Sequence, residues 1–180
     1  DSEAKKEWNS AKNKAVKSDF AKEYFYGKDD FYNLKVNPNG NFATFSLVEP
    51  AETKREKMEV FITADGYNQT PETKEKVSIN NLVKTKFGIY SVAKDSVYYV
   101  DFSSLSHIKE FPKYYTSYEN LKNKSKEDKL IVAQSPIYNQ DGSFAITEIR
   151  SQDNKDRWLV SLNLQKGSFT EIEHQHDEAW

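Results

Sequence analysis

Two stretches of the chain alternate apolar and polar residues with the two-residue period of half-buried strands, and each is punctuated by the same kind of turn. In the later stretch Ala145, Thr147 and Ile149 share one face, and Trp158, Val160, Leu162 and Leu164 share a face one strand further on. Phe144 and Ile146 supply apolar surface to the opposite side. The pattern predicts strands at about 132–138, 143–150, 157–164 and 168–173, and in the earlier stretch at about 31–37, 41–48, 86–92 and 96–102. The first two strands of each set are joined through NPNG (37–40) or NQDG (139–142). Asn or Asp followed by Gly tolerates the positive φ that a two-residue hairpin turn demands.

The two sets are copies of one another. Laying residues 139–145 on residues 37–43 superposes Asn139 on Asn37, Asp141 on Asn39, Gly142 on Gly40, Phe144 on Phe42 and Ala145 on Ala43. A second register lays SLNLQKGSFTEI (161–172) on IYSVAKDSVYYV (89–100), pairing Leu164 with Val92, Lys166 with Lys94, Ser168 with Ser96 and Ile172 with Val100. The first copy holds an insertion at about 49–85, with Pro50, a charge cluster from Lys54 to Glu59 and a polar tract from Asn68 to Lys76, which is expected to be a surface loop. A four-stranded antiparallel unit repeated with short turns is the signature of a propeller blade. The chain is therefore expected to be mainly β, a partial β-propeller of about two four-stranded antiparallel blades with an N-terminal amphipathic helix. The expected order is the helix in 1–30, a first blade at 31–102, a connection at 103–131, a second blade at 132–173 and the start of a truncated next element at 174–180.

The N-terminal region has a different period. Trp8, Ala11, Ala15, Val16, Phe20 and Tyr24 recur every three or four residues, with Ser2 as a cap and Gly27 as a stop, which predicts a helix of about 22 residues. Its seven basic and seven acidic residues between Asp1 and Asp30 cancel, so it reads as a helix docked by its apolar stripe, not as a membrane-surface element. The connection mixes aromatics with Lys109, Pro112 and Lys113 between His107 and Tyr118, followed by the solvated run LKNKSKEDK. Glu110, Glu119, Glu127 and Asp128 interrupt any basic stripe for single-stranded nucleic acid.

Composition narrows the function. With 37% hydrophobic and 30% charged residues the chain is that of a soluble globular protein, and its 26 basic against 28 acidic side chains give no pull towards nucleic acid or anionic membrane. No apolar run is long enough for a membrane span, and the absence of cysteine excludes disulfides and thiol nucleophiles. The start lacks a charged segment followed by an apolar one, so a signal peptide is expected to have been removed or to lie upstream. None of the six glycines brackets a serine as a nucleophile elbow requires, and no phosphate-cradling loop is present. His174 and His176 alternate on a strand and would face one side, yet a third metal ligand of suitable geometry is lacking, so they read as a polar strand end. The sequons at Asn68 and Asn123 read as products of an Asn-rich composition. No catalytic, cofactor or metal residue is assigned.

IRSQDNKDRWLVSLNL (149–164), together with the terminal HDEAW (176–180), resembles the β-propeller of bacterial serine peptidases of the prolyl oligopeptidase family, particularly the large secreted dipeptidyl-peptidase-like proteins of Bacteroidetes. The NQDG turn is similar to the Ser-Pro-Asp-Gly turn that those blades repeat. FITADGYNQTPETKEKV (61–77) is similar to a Tyr-Val-Thr-Glu-Ser-Gly-Tyr segment of their first blade, with Ala-Asp-Gly-Tyr where relatives often have Glu-Ser-Gly-Tyr, and FGIYSVAKDSVYYVD (87–101) is similar to the strand pair that closes it.

The resemblance extends from about Trp8 to Trp180. It implies a longer parent, whose remaining blades and α/β-hydrolase domain with a Ser, Asp and His triad lie beyond these residues. The expected role is that of a non-catalytic, periplasmic or secreted propeller fragment that gates short peptides towards that domain. The expected partners are the rest of the parent peptidase and peptide substrates, with self-association through an unclosed blade face. The alternative is a stand-alone extracytoplasmic propeller-like binding or scaffold module. Some family members grip a substrate amino terminus with acidic propeller side chains, which draws attention to Asp177 and Glu178, although position alone assigns no substrate-binding residue.

Overall fold

The computed structural model describes residues 2–12, 23–50, 55–75, 83–123 and 127–178. After α1 (Ser2–Lys12) come β1 (Asp30–Val36) and β2 (Phe42–Val48), an inserted hairpin of β3 (Arg55–Lys57) and β4 (Glu72–Glu75), then β5 (Thr85–Ser91) and β6 (Ser96–Val100). A connection with a 3-10 turn (Lys113–Ser117) and the short α2 (Glu119–Lys122) leads to β7 (Ile131–Ala133), β8 (Ile137–Tyr138), β9 (Ala145–Ser151), β10 (Asp156–Asn163) and β11 (Ser168–His176). The strands form an antiparallel sheet in the order β1-β2-β5-β6 and a second in the order β11-β10-β9-β7, with β8 also on β9. Neither sheet closes on itself.

Four expectations need correction. The strand expected at 132–138 is split into β7 and β8, because Pro136 between them has no N–H to give to the ladder. The turn expected to have two residues is a loop of residues 37–41 whose first side chain closes it: Asn37 Oδ1 accepts from Phe42 N at 2.9 Å, as Asn139 Oδ1 does from Phe144 N at 2.9 Å in the second copy. Residues 174–176 open no further element, since β11 stays paired with β10 as far as Asp156↔His176. The described part of the expected helix is Ser2–Lys12, and Tyr24, expected on its stripe, lies outside any helix, edge-on to Tyr90 at 5.9 Å. The stripe residues Ala15, Val16 and Phe20 fall outside the described residues.

The core lies between the two sheets. Phe87, Ile89 and Val100 of the first sheet, with Phe102 just after it, meet Ala145, Ile149, Trp158, Val160 and Leu162 of the second, and Leu105 and Ile108 from the connection join the cluster. These are the positions that the period of two places on one face, so local alternation and tertiary packing agree. Polar pairs then fix the register of sheet against sheet. Thr85 Oγ1 donates to Ile131 O at 2.7 Å, Lys35 Nζ to Pro136 O at 2.7 Å, and the Gln152 amide both donates to Val83 O at 2.6 Å and accepts from Val83 N at 3.1 Å.

Repeated residues meet one another across this seam. Asn37 Nδ2 donates to Gly142 O at 3.2 Å and Asn39 Nδ2 to Asp141 O at 3.1 Å, so the two Asx-Gly turns are bonded together. At the outer turns Tyr98 OH donates to Leu164 O, and its ring lies against Gly167, where an added Cβ would come within 2.4 Å of Tyr98 Cδ2. Gly167 also has φ +66°, a conformation that an L side chain resists. Gly167→Ala is therefore expected to destabilise the chain by about 2–4 kcal/mol, combining left-handed strain with overpacking of the seam. A fall in the urea midpoint with unchanged slope checks this.

The topology gives the sheet pair two unlike rims. One rim holds the short turns at 37–41, 92–95 and 164–167 and the reversal at 139–144, whereas the other collects the β3–β4 hairpin, the connection 101–130 and the β9–β10 turn. Long connections concentrate where a rigid scaffold presents chemistry or partners.

Candidate functional site

On the elaborated rim an ion pair is buried. Asp156 opens β10 with a fully buried side chain, and Lys129, 4% exposed, donates to its Oδ2. His174 Nε2 and His176 Nδ1 both approach Oδ1, at 2.9 and 2.8 Å. An ionised carboxylate can only accept, so each of these ring nitrogens carries the hydrogen. The Asp156 amide donates to Ser151 Oγ at 2.9 Å, which ties the site to the end of β9.

The β10–β11 register builds this cluster. Trp158↔His174 and Asp156↔His176 are facing pairs, which aims both imidazoles at the inner face. A register shift between Leu159 and Val160 then brings Glu171, opposite Val160, onto the face of His174 although the two are three residues apart. Glu171 accepts from Ser106 N at 2.8 Å, and Trp158 Nε1 donates to Ser106 O at 2.8 Å. His107 stacks on His174 at 4.7 Å and His174 on Trp158 at 5.2 Å. The connection is thus clamped to the second sheet through Ser106 and His107, the latter also held by Glu110 at 2.7 Å.

Beside the cluster opens a polar cleft of about 610 Å³, lined by Arg150, Asn154, Lys155, Arg157, His176 and Asp177 among others. Its cations have partners: Glu148 pairs with Arg150 and lies 3.6 Å from Arg157, Arg157 also donates to Gln175, and Lys155 meets Glu178 at 3.0 Å. Asp177 therefore lines the cleft, its amide bonded to Lys155 O at 2.9 Å, while Glu178 is held in an ion pair. His174 and His176 are brought together, as their alternation predicts, but the nitrogens that point inward are spent on Asp156. Among the described residues no group of three or more His, Cys, Asp and Glu side chains is arranged to hold a metal ion. All donors converging on Asp156 stabilise its charge, which suits a latch and not a proton acceptor.

Sequence reasoning missed Asp156 and Lys129. Asp156 is in phase with Trp158 and Val160 on the buried face, and a carboxylate at such a position requires a cationic or hydrogen-bonded partner. Lys129 closes a run that reads as fully solvated, yet it is buried; nothing in its local spacing separates it from its neighbours.

The titration of the cluster has a definite sign. Burial pushes the Asp156 carboxyl up, but the hydrogen bonds from Lys129, His176 and His174 outweigh it and hold the group below its ordinary value of 3.8. The hydrogen bond to Asp156 holds His176 above its ordinary 6.5, against the opposing effect of burial. The Asp156 contribution is present above the unfolded carboxyl value and is lost as pH falls through the lowered folded value. The His176 contribution is fully present below 6.5 and is lost as pH rises through its raised folded value. Thermal midpoints are expected to fall on both sides of a mildly acidic plateau, and His176→Gln to flatten the alkaline limb. A scan of the midpoint against pH for both proteins checks this.

No family model and no curated protein matches the chain. Its fold does match solved structures. A provisionally assigned dipeptidyl aminopeptidase IV from Bacteroides ovatus aligns over 82% of this chain and 18% of its own length, at a TM-score of 0.50 and 10% identity. The dipeptidyl peptidase 4 of Porphyromonas gingivalis aligns over 81% of this chain and 17% of its own, at a TM-score of 0.50 and 9% identity. The chain has a partial β-propeller-like fold. It spans less than a fifth of the length of these dipeptidyl peptidase IV-type proteins of Bacteroidetes.

Proposed function

We propose that the chain is a non-catalytic propeller portion of an extracytoplasmic serine peptidase of the prolyl oligopeptidase family. It shapes and gates the passage of short peptides towards a catalytic α/β-hydrolase domain outside these residues. The observation that carries this reading is the shared fold with two dipeptidyl peptidase IV-type structures over four fifths of the chain, in which the chain fills under a fifth of theirs.

A second feature supports it. The first sheet has an outer face with an aromatic cleft of about 510 Å³ lined by Tyr26, Phe31, Phe45, Tyr90 and Tyr99 among others, and Phe31 stacks on Phe45 at 4.9 Å. A blade at the end of an open run leaves such a face for the next blade, since each blade buries both faces against neighbours. Other blades of the parent are the partners that this face fits.

Sequencing the gene through the codon of Trp180, then assaying the intact product and the 180-residue chain on chromogenic dipeptidyl substrates, tests the proposal. A downstream hydrolase domain, with cleavage by the intact product alone, is expected. A reading frame that stops near Trp180, or cleavage by the chain itself, overturns it.

A further inference from the structure

The polar cleft beside the Asp156 cluster is walled by the second sheet alone. Every described residue on its wall is polar or charged, and all of them come from β9, β10, β11, the β9–β10 turn or the residue after β11. Apart from the imidazoles its charges cancel: the cations Arg150, Lys155, Arg157 and Lys129 stand against the carboxylates Glu148, Asp156, Asp177 and Glu178. Such a cleft offers no net field to recruit an ion and no apolar floor for a peptide side chain.

Its spare hydrogen-bonding capacity belongs to neutral groups. Gln175 spends its Oε1 on Arg157, 3.1 Å from Nε, and its Nε2 has no partner among the described residues. The side-chain amide of Asn154 has none there either, and both residues are exposed. The turn holds Asn154 in place, at φ +62° with its N–H donating to Ser151 O at 3.0 Å. Two planar amides, set among carboxylate and guanidinium edges, suit a ligand rich in hydroxyl groups, each of which both donates and accepts.

The connection adds an aromatic face. Burial holds the Tyr115 phenol above its ordinary value of 10.0, and so do the neighbouring Tyr114 and Asp153, which sets the Tyr114–Tyr115 pair, 5.1 Å between centroids, against the β9–β10 turn. Tyr114 is 50% exposed, and the negative face of such a ring packs well on the C–H groups of a pyranose.

We propose that this cleft binds a neutral oligosaccharide, with Asn154 and Gln175 bonded to its hydroxyl groups and Tyr114 stacked on one sugar ring. The volume of about 610 Å³ fits, since small-ligand clefts span roughly 300–1,000 Å³. Three or four contacts of this kind correspond to a dissociation constant of about 1 mM. The inference does not rest on the peptidase reading, because the second sheet and the adjoining connection supply every group it uses.

Titration of the 180-residue chain with cellotriose, followed by proton–nitrogen correlation spectra, tests it, with Tyr114→Ala and Asn154→Gly as variants. Both positions are exposed, and glycine keeps the left-handed φ of residue 154. The side-chain amide signals of Asn154 and Gln175 are expected to shift saturably in the unaltered chain, and each variant to weaken binding by at least about fivefold. No saturable shift up to ~20 mM cellotriose, or the same signals moved at lower concentration by inorganic phosphate or by a blocked alanine tripeptide, overturns the inference. So does a variant that binds as the unaltered chain does.

Discussion

Asp156→Ala is expected to lower the unfolding free energy by about 3–5 kcal/mol, because it leaves Lys129 buried without its counter-charge. The side chains of this pair are 0% and 4% exposed, so water cannot replace the lost partner without opening the seam between the connection and the second sheet. His174 and His176 also lose the acceptor that holds their rings. Lys129→Met alone is expected to be costly for the converse reason, since the carboxylate keeps only the imidazole donors. Urea unfolding of both single variants and of Asp156→Ala with Lys129→Met gives the coupling, and a double variant far less destabilised than the sum of the singles is the expected result. Additive losses would show that the two groups do not act as a pair.

Trp158→Ala is expected to cost about 3–5 kcal/mol through lost apolar burial and the cavity left behind. The ring is fully buried in the core between the sheets, and it also supplies a donor to Ser106 O and a stacking surface to His174. Trp158→Phe separates these contributions: most of the apolar volume stays and the Nε1 donor goes. The expected loss is then about 1–3 kcal/mol, the desolvation cost of an orphaned carbonyl. Amide exchange near Ser106 should rise in the phenylalanine variant while the β9–β10 ladder stays protected. Uniform exchange across both regions would contradict a local clamp.

The sheets were legible because they are made of local signals. Alternation at Ala145, Thr147 and Ile149 and at Trp158, Val160 and Leu162 sets faces, and the Asx-Gly turns set the reversals; all of these appear at the expected positions. The internal repeat carried more than topology, since Asn37 with Gly142 and Asn39 with Asp141 turn a sequence copy into a physical contact. The latch was half legible. Adjacent same-side placement of His174 and His176 follows from strand period, but their acceptor lies 18 and 20 residues away, and Lys129 lies 27 away across a connection of irregular backbone. Such pairings are decided by tertiary packing, for which local spacing holds no signal. The β-bulge that turns Glu171 inward is likewise a property of the β10–β11 pair and not of β11 alone.

The claim on which the rest depends is that the two sheets are successive blades packed face to face. Nuclear Overhauser contacts across the seam test it most directly. The account predicts cross-peaks between the rings of Phe102 and Phe169, whose centroids are 5.2 Å apart, and between the Tyr98 ring and the Gly167 α-protons. Spectra that retain the ladders within each sheet but lack both contacts would contradict it.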